Sequence, residues 1–134
     1  MSDLETKVLN LLNSENEFEQ LMGDILRVLA LYNGVLWSSE LYRELVTFHS
    51  TLGEREIKDV KNIDNAVSRL VEMEILKTDE RLKASLAGVG ATKEPLIFIA
   101  DREAIRGIIL NDSKLKKFIT ERNRIFGELF KKKK

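Results

Sequence analysis

Four side chains between positions 61 and 69 have the types and the spacing to read a nucleic-acid duplex. Lys61, Asn65, Ser68 and Arg69 fall on one side of a helix that advances about 100° per residue. Asparagine can pair with adenine, and arginine with guanine, through two hydrogen bonds each; serine can meet a base or a phosphate. On the other side Val60, Ile63, Val67, Leu70 and Val71 form an apolar face suited to a core. A merely solvated helix would show the same division, so the surrounding elements decide between the two readings.

A second group of cations lies downstream. Arg81, Lys83 and Lys93 flank the segment Gly88-Val89-Gly90-Ala91-Thr92-Lys93-Glu94-Pro95. Arginine and lysine on such a loop can hold phosphates or enter the negative potential of a minor groove. The glycines do not make a nucleotide-phosphate loop, which needs four residues between them and then Lys-Ser/Thr. The segment also falls between two expected strands, with no helix after it to supply a dipole.

Other chemistry finds few candidates. The chain has no cysteine and one histidine, His49, so thiolate ligands and a histidine pair are excluded, and no usual Ser-His relay is read. His49 is read as an ordinary residue near a helix end. Asp79-Glu80 matches no cation-binding loop, and Trp37 and Tyr42 are read as core. No catalytic group, metal site or cofactor is expected, and the chain is not expected to be an enzyme.

The elements that must position these residues follow from caps and periodicity. Ser2-Asp3-Leu4-Glu5 and Ser14-Glu15-Asn16-Glu17 match the capping box and open two helices. The first carries Leu4, Val8, Leu11 and Leu12; the second carries Phe18, Leu21, Met22, Ile25, Leu26, Val28 and Leu29 and ends at Asn33-Gly34. Val35-Leu36-Trp37 reads as a short strand. Ser38 or Ser39 caps a third helix with Leu41, Tyr42, Leu45, Val46 and Phe48, interrupted over 49–56. The helix of Lys61 and Arg69 starts near 55 or near 62. A hairpin follows, with one strand over 76–84, a loop over 88–95 and a return at 96–99. Asp101 caps a helix to Leu110, and Asn111-Asp112-Ser113 separates it from a last helix that reaches Phe130.

Length, composition and charge bound the rest. The 134 residues, 43% hydrophobic and 33% charged, suit a single domain spanning 1–134 with a mostly helical fold. No apolar run approaches the roughly 18 residues of a membrane span, and the first residues are acidic, so a cytoplasmic protein is expected. Net charge is zero, yet unevenly spread: residues 1–60 carry 5 basic and 11 acidic groups, and residues 61–134 carry 17 and 11. Much of the positive charge sits in 113–134, with 9 basic groups against 2 acidic, while 61–93 has 6 against 5.

The order helix, short strand, helix, helix, two-stranded hairpin, C-terminal helix resembles the winged helix-turn-helix domain of small transcription regulators of the MarR-like and PadR-like kinds. The resemblance covers about residues 15–100, between an N-terminal helix over 1–13 and C-terminal helices with a lysine tail over 101–134. Its densest part is Ile63-Asp64-Asn65-Ala66-Val67-Ser68-Arg69-Leu70-Val71-Glu72-Met73-Glu74-Ile75-Leu76, where Glu74 replaces a frequent glycine. The resemblance implies a mainly α fold with a small β-hairpin wing (α+β) that binds double-stranded DNA as a transcription regulator. In it Asn65, Ser68 and Arg69 would meet base edges, and Lys61, Arg81, Lys83 and Lys93 phosphates. The last helix repeats Leu115, Phe118, Arg122, Ile125 and Leu129 at three- and four-residue spacing, an expected homodimer seam. Packing on the chain's own core is the other use of that stripe. The alternative function is a winged-helix protein–protein interaction module in a larger assembly, which zero net charge favours.

Overall fold

Side-chain caps set where the helices begin, and left-handed residues set where three of them end. The computed structural model describes residues 2–54, 60–84 and 91–131, with the backbone alone described at 81–84, 91, 92 and 131. In chain order these form α1 (Asp3–Leu12), α2 (Glu17–Leu31), β1 (Val35–Trp37), α3 (Ser38–Thr51), α4 (Val60–Glu72), β2 (Leu76–Ala84), β3 (Ala91–Ile99), α5 (Arg102–Leu110) and α6 (Ser113–Lys131). The fold is mainly helical with one small antiparallel sheet, an α+β arrangement. No described helix is long and apolar enough to cross a membrane.

Ser2 caps α1, its Oγ accepting from the Glu5 N–H at 3.2 Å. The cap of α2 is Asn16 rather than the expected Ser14: Asn16 Oδ1 accepts from the Glu19 N–H at 3.0 Å. Ser14 braces the loop instead, donating to Glu19 Oε1 at 2.9 Å and accepting from the Asn16 N–H at 3.1 Å. Ser38 and Ser39 lie inside the first turn of α3, not ahead of it. Carboxylates take over the capping there: Glu40 accepts from the Trp37 N–H, and Glu94 of β3 accepts from the Ser39 N–H at 2.7 Å.

At the C-termini of α2, α3 and α4, a residue at positive φ turns the chain back: Asn33 at 60°, Gly53 at 71° and Glu74 at 63°. The N–H groups of Gly34, Glu54 and Ile75 then donate to the carbonyls of Leu29, His49 and Leu70, five residues back. These bonds satisfy carbonyls the helix leaves open. Glu74 is a strained occupant, because a Cβ in this region costs about 1–2 kcal/mol.

The sheet order is β1-β3-β2. β1 pairs only with residues 96–98, whereas the β2–β3 ladder runs from Leu76↔Ile99 to Ala84↔Ala91. Residues 91–95, expected as loop, are therefore strand. Pro95 is tolerated because β1 stops at Trp37↔Leu96, leaving that edge without a partner that needs the missing N–H. Leu36, Ile97, Ile99, Ile75 and Leu76 face one core with α2 at its centre, and α2 touches α1, α3, α4 and α5. Three residues expected inside are exposed, Phe18 of α2 among them. Val46 points away from the buried face of Leu41, Leu45 and Phe48, and Val60 precedes the packed stretch that begins at Ile63.

Within this core lies a charge network. Arg27, 3% exposed, grips Asp112 with Nε and Nη2 at 2.6 and 3.2 Å, Asp24 Oδ1 at 2.8 Å and the Leu12 carbonyl at 2.8 Å. Gly23 makes room for it, since a Cβ there would come within 3.1 Å of both Arg27 Nη1 and the Leu11 carbonyl. Asp24 also accepts from His49 Nε2 at 2.8 Å and from Lys114 at 3.0 Å, and Lys114 reaches Glu54 at 3.0 Å. Asp112 additionally caps α6 through the Leu115 N–H at 3.0 Å. Burial pushes the Asp24 carboxyl up, but its interactions with His49, Lys114 and Arg27 together outweigh this and hold it below its ordinary value.

Three outcomes follow from this packing. Replacing Arg27 with Met should lower unfolding free energy in urea by about 3–5 kcal/mol, because it leaves the buried Asp112 without its cation and takes one partner from Asp24. Because the folded pKa of Asp24 is depressed, its contribution is complete above the ordinary carboxylate range and disappears as pH falls through and below about 4. Urea midpoints of wild type should thus fall more steeply with acid than those of Asp24→Asn. Replacing Glu74 with Gly should raise stability by up to about 1 kcal/mol, relieving strain against a Gly entropy cost; an unchanged midpoint would count against strain at this position.

Candidate nucleic-acid interface

α4 owes its position to two contacts behind it. Ile63, Ala66, Val67 and Leu70 are buried, and the helix packs against α2 and leads directly into β2. This burial leaves Lys61, Asn65, Ser68 and Arg69 together on the exposed side. Asn62, Asp64 and Glu72 are exposed as well, so the face mixes amides, a hydroxyl and both signs of charge. Arg69 Nη1 lies 3.2 Å from Glu72 Oε2, one turn away and in solvent, where such a pair contributes little and is easily exchanged.

Asp64 occupies the flank of α4 nearest α3. The Tyr42 hydroxyl of α3 donates to Asp64 Oδ1, and that bond bridges the two helices. Burial, this hydrogen bond and the Asp64 and Glu94 charges push the Tyr42 hydroxyl up to about 12. It therefore remains a donor across any ordinary working pH. Sequence reading placed Tyr42 in the core; it is half-buried, its ring inward and its hydroxyl at the α3–α4 seam.

The hairpin adjoins α3 through Glu94, which accepts from the Ser38 hydroxyl at 3.1 Å as well as from the Ser39 N–H. Arg81 and Lys83 take register positions opposite Glu94 and Thr92, and their side chains lie outside the described residues. Lys93, opposite Leu82, is exposed. Gly88, Val89 and Gly90 also lie outside the described residues. Over residues 91–95 of β3 the two strands pair without β1, so this ribbon extends past the sheet on a backbone of its own.

The stripe on α6 divides in two. Leu115 and Phe118 lie in the chain's own core, with Phe118 4.8 Å from the Phe48 ring. Arg122 is half-buried, its guanidinium 5.5 Å over Phe118. Ile125 and Leu129 are exposed, together with Phe126 and with Phe130 at 70%. Lys132–Lys134 lie outside the described residues, as does the Lys131 side chain.

One arrangement escaped the sequence reading altogether. Asp24, His49 and Glu54 bring ligand-type atoms within 4.8 Å of one another. The Lys114 ammonium stands at 3.0 Å from both carboxylates and takes the position a cation would need. His49 Nδ1 is buried without a hydrogen-bond partner among the described residues. The carboxylate of Asp24 can only accept, so Nε2 carries the proton between them. A scan against models of known protein families finds no match to this chain, and a search of curated proteins finds none similar.

Glu94 ties the hairpin directly to the start of α3. Replacing it with Ala should lower the thermal midpoint by the few degrees that a lost cap of about 1 kcal/mol implies. An unchanged midpoint would mean that water caps α3 equally well.

Proposed function

We propose that this chain is a winged helix-turn-helix DNA-binding regulator. In this reading α4 lies in the major groove and the β2–β3 hairpin lies along the backbone. The observation that carries it is the joint exposure of Lys61, Asn65, Ser68 and Arg69 on a helix whose opposite face is buried. A 13-residue helix is about 20 Å long, and a major groove roughly 12 Å wide admits its exposed side. Element order supports the same assignment: helix, short strand, two helices, hairpin.

In the proposed complex Asn65, Ser68 and Arg69 face base edges, with Arg69 exchanging Glu72 for a base. Lys61, Arg81, Lys83 and Lys93 meet phosphates. Four such cations per chain, eight in a homodimer, would set a salt slope of about −7 in log K against log salt. The protein works as a homodimer through the second half of α6, where Ile125, Phe126, Leu129 and Phe130 are exposed. Helices in proteins gain stability mainly from packing, which favours a cover for that end.

Fluorescence anisotropy with mixed genomic duplex fragments across a salt series tests this reading. The proposal expects salt-sensitive binding with some fragments preferred. Arg69→Ala should lose about 1–3 kcal/mol of discrimination at one base pair of each half-site and keep the salt slope, while Lys61→Ala should weaken all duplexes alike and reduce the slope by about 2, one contact per protomer. No binding even at low salt would overturn the proposal and direct the search to a protein partner.

A further inference from the structure

The acidic residues of α4 present a difficulty that Tyr42 resolves. An exposed carboxylate on a groove-facing helix repels phosphate, and Asp64 lies three residues from Lys61 and four from Ser68. At those spacings side chains on a helix are neighbours. A mobile Asp64 would engage Ser68 and draw it from a duplex. The structure instead turns its Oδ1 to the Tyr42 hydroxyl, on the flank facing α3.

We infer that Tyr42 is a positioning residue for DNA recognition: its hydroxyl holds the Asp64 carboxylate against α3, and so keeps Ser68 and the exposed face beside it available to the duplex. The inference rests on the DNA-binding reading above and adds to it a residue that touches no DNA. Two further observations fit. Tyr42 is anchored, its ring packed against the core, so its hydroxyl is a fixed point rather than a wandering one. The hydroxyl also stays protonated at any ordinary pH, so the hold does not lapse within the range where DNA is bound. Charged groups facing it are Asp64 of α4 and Glu94 of β3; with both acidic, the neutral donor is the stable partner for Asp64.

The test is a double-mutant cycle read by anisotropy on a preferred duplex and on a mismatched one of equal length. Wild type must first prefer one duplex; if it binds neither, the DNA-binding reading falls and this inference with it. Given that preference, Tyr42→Phe should bind the preferred duplex roughly fivefold more weakly, the size expected from one released hydrogen bond. Asp64→Asn should bind at least as tightly as wild type. The double variant should return to within about twofold of Asp64→Asn, because no carboxylate remains to be held. Thermal midpoints accompany each measurement, since a structural loss would follow Tyr42→Phe into the double variant. Tyr42→Phe matching wild type would overturn the inference. So would a double variant as weak as Tyr42→Phe, which would assign the loss to packing, or a comparable loss in Asp64→Asn, which would make the carboxylate itself a contact.

Discussion

One buried guanidinium holds the helical part of this fold together. Arg27 joins the end of α1, its own neighbour Asp24 and the α5–α6 corner at Asp112. A charge so deeply placed is costly to desolvate, and only complete pairing makes it tolerable. Here the pairing is complete: two carboxylates and a carbonyl surround it, and Asp112 uses a second lone pair to start α6. Asp24 passes the same constraint to His49 of α3 and Lys114 of α6. The site-bearing elements are positioned from behind by this arrangement. α3 is fixed to α2 and α6, α4 packs on α2, and the hairpin is tied to α3 by Glu94.

Much of this was readable from local signals because local physics decides it. Asn33-Gly34 ends α2 as written, and the apolar periods placed α1, α2, α6 and the body of α4 where they are found, while the start of α4, open between about 55 and 62, borders residues outside the described ones. The polar face of α4 was legible for the same reason, since helical spacing alone separates Lys61, Asn65, Ser68 and Arg69 from Ile63, Val67 and Leu70. Cases that turned on competition were less legible. Ser14 and Asn16 both can cap, and the choice between them rests on which one lets Glu19 bond backward. Adjacent apolar residues are similarly ambiguous: Ile25 and Leu26 both face inward on α2, whereas of Leu45 and Val46 on α3 only Leu45 does.

What sequence could not display was partnership across distance. Arg27 and Asp112 stand 85 residues apart, and Asp24-Ile25-Leu26-Arg27 reads like any amphipathic turn. His49 does stand in the last turn of α3, but its buried bond crosses to Asp24 on another helix and left no local sign. Tyr42 was assigned to the core on its ring, and the hydroxyl's bond to Asp64 became visible only once α3 and α4 stood side by side. The strand at 91–95 was hidden by Pro95, whose tolerance depends on how short β1 is. In α6, equal spacing concealed two environments, a core for Leu115 and Phe118 and solvent for Ile125 and Leu129.

The central claim is that the exposed side of α4 is the surface this protein presents to DNA. At 15.4 kDa the chain suits amide shift mapping by NMR, with isotope-labelled protein titrated by a preferred duplex. The account predicts shifts concentrated in α4 and along the β2–β3 hairpin, with the far side of α1 and α5 undisturbed. Shifts confined to α6, or to the acidic surface of α1 and α2, would contradict it and identify a different binding face.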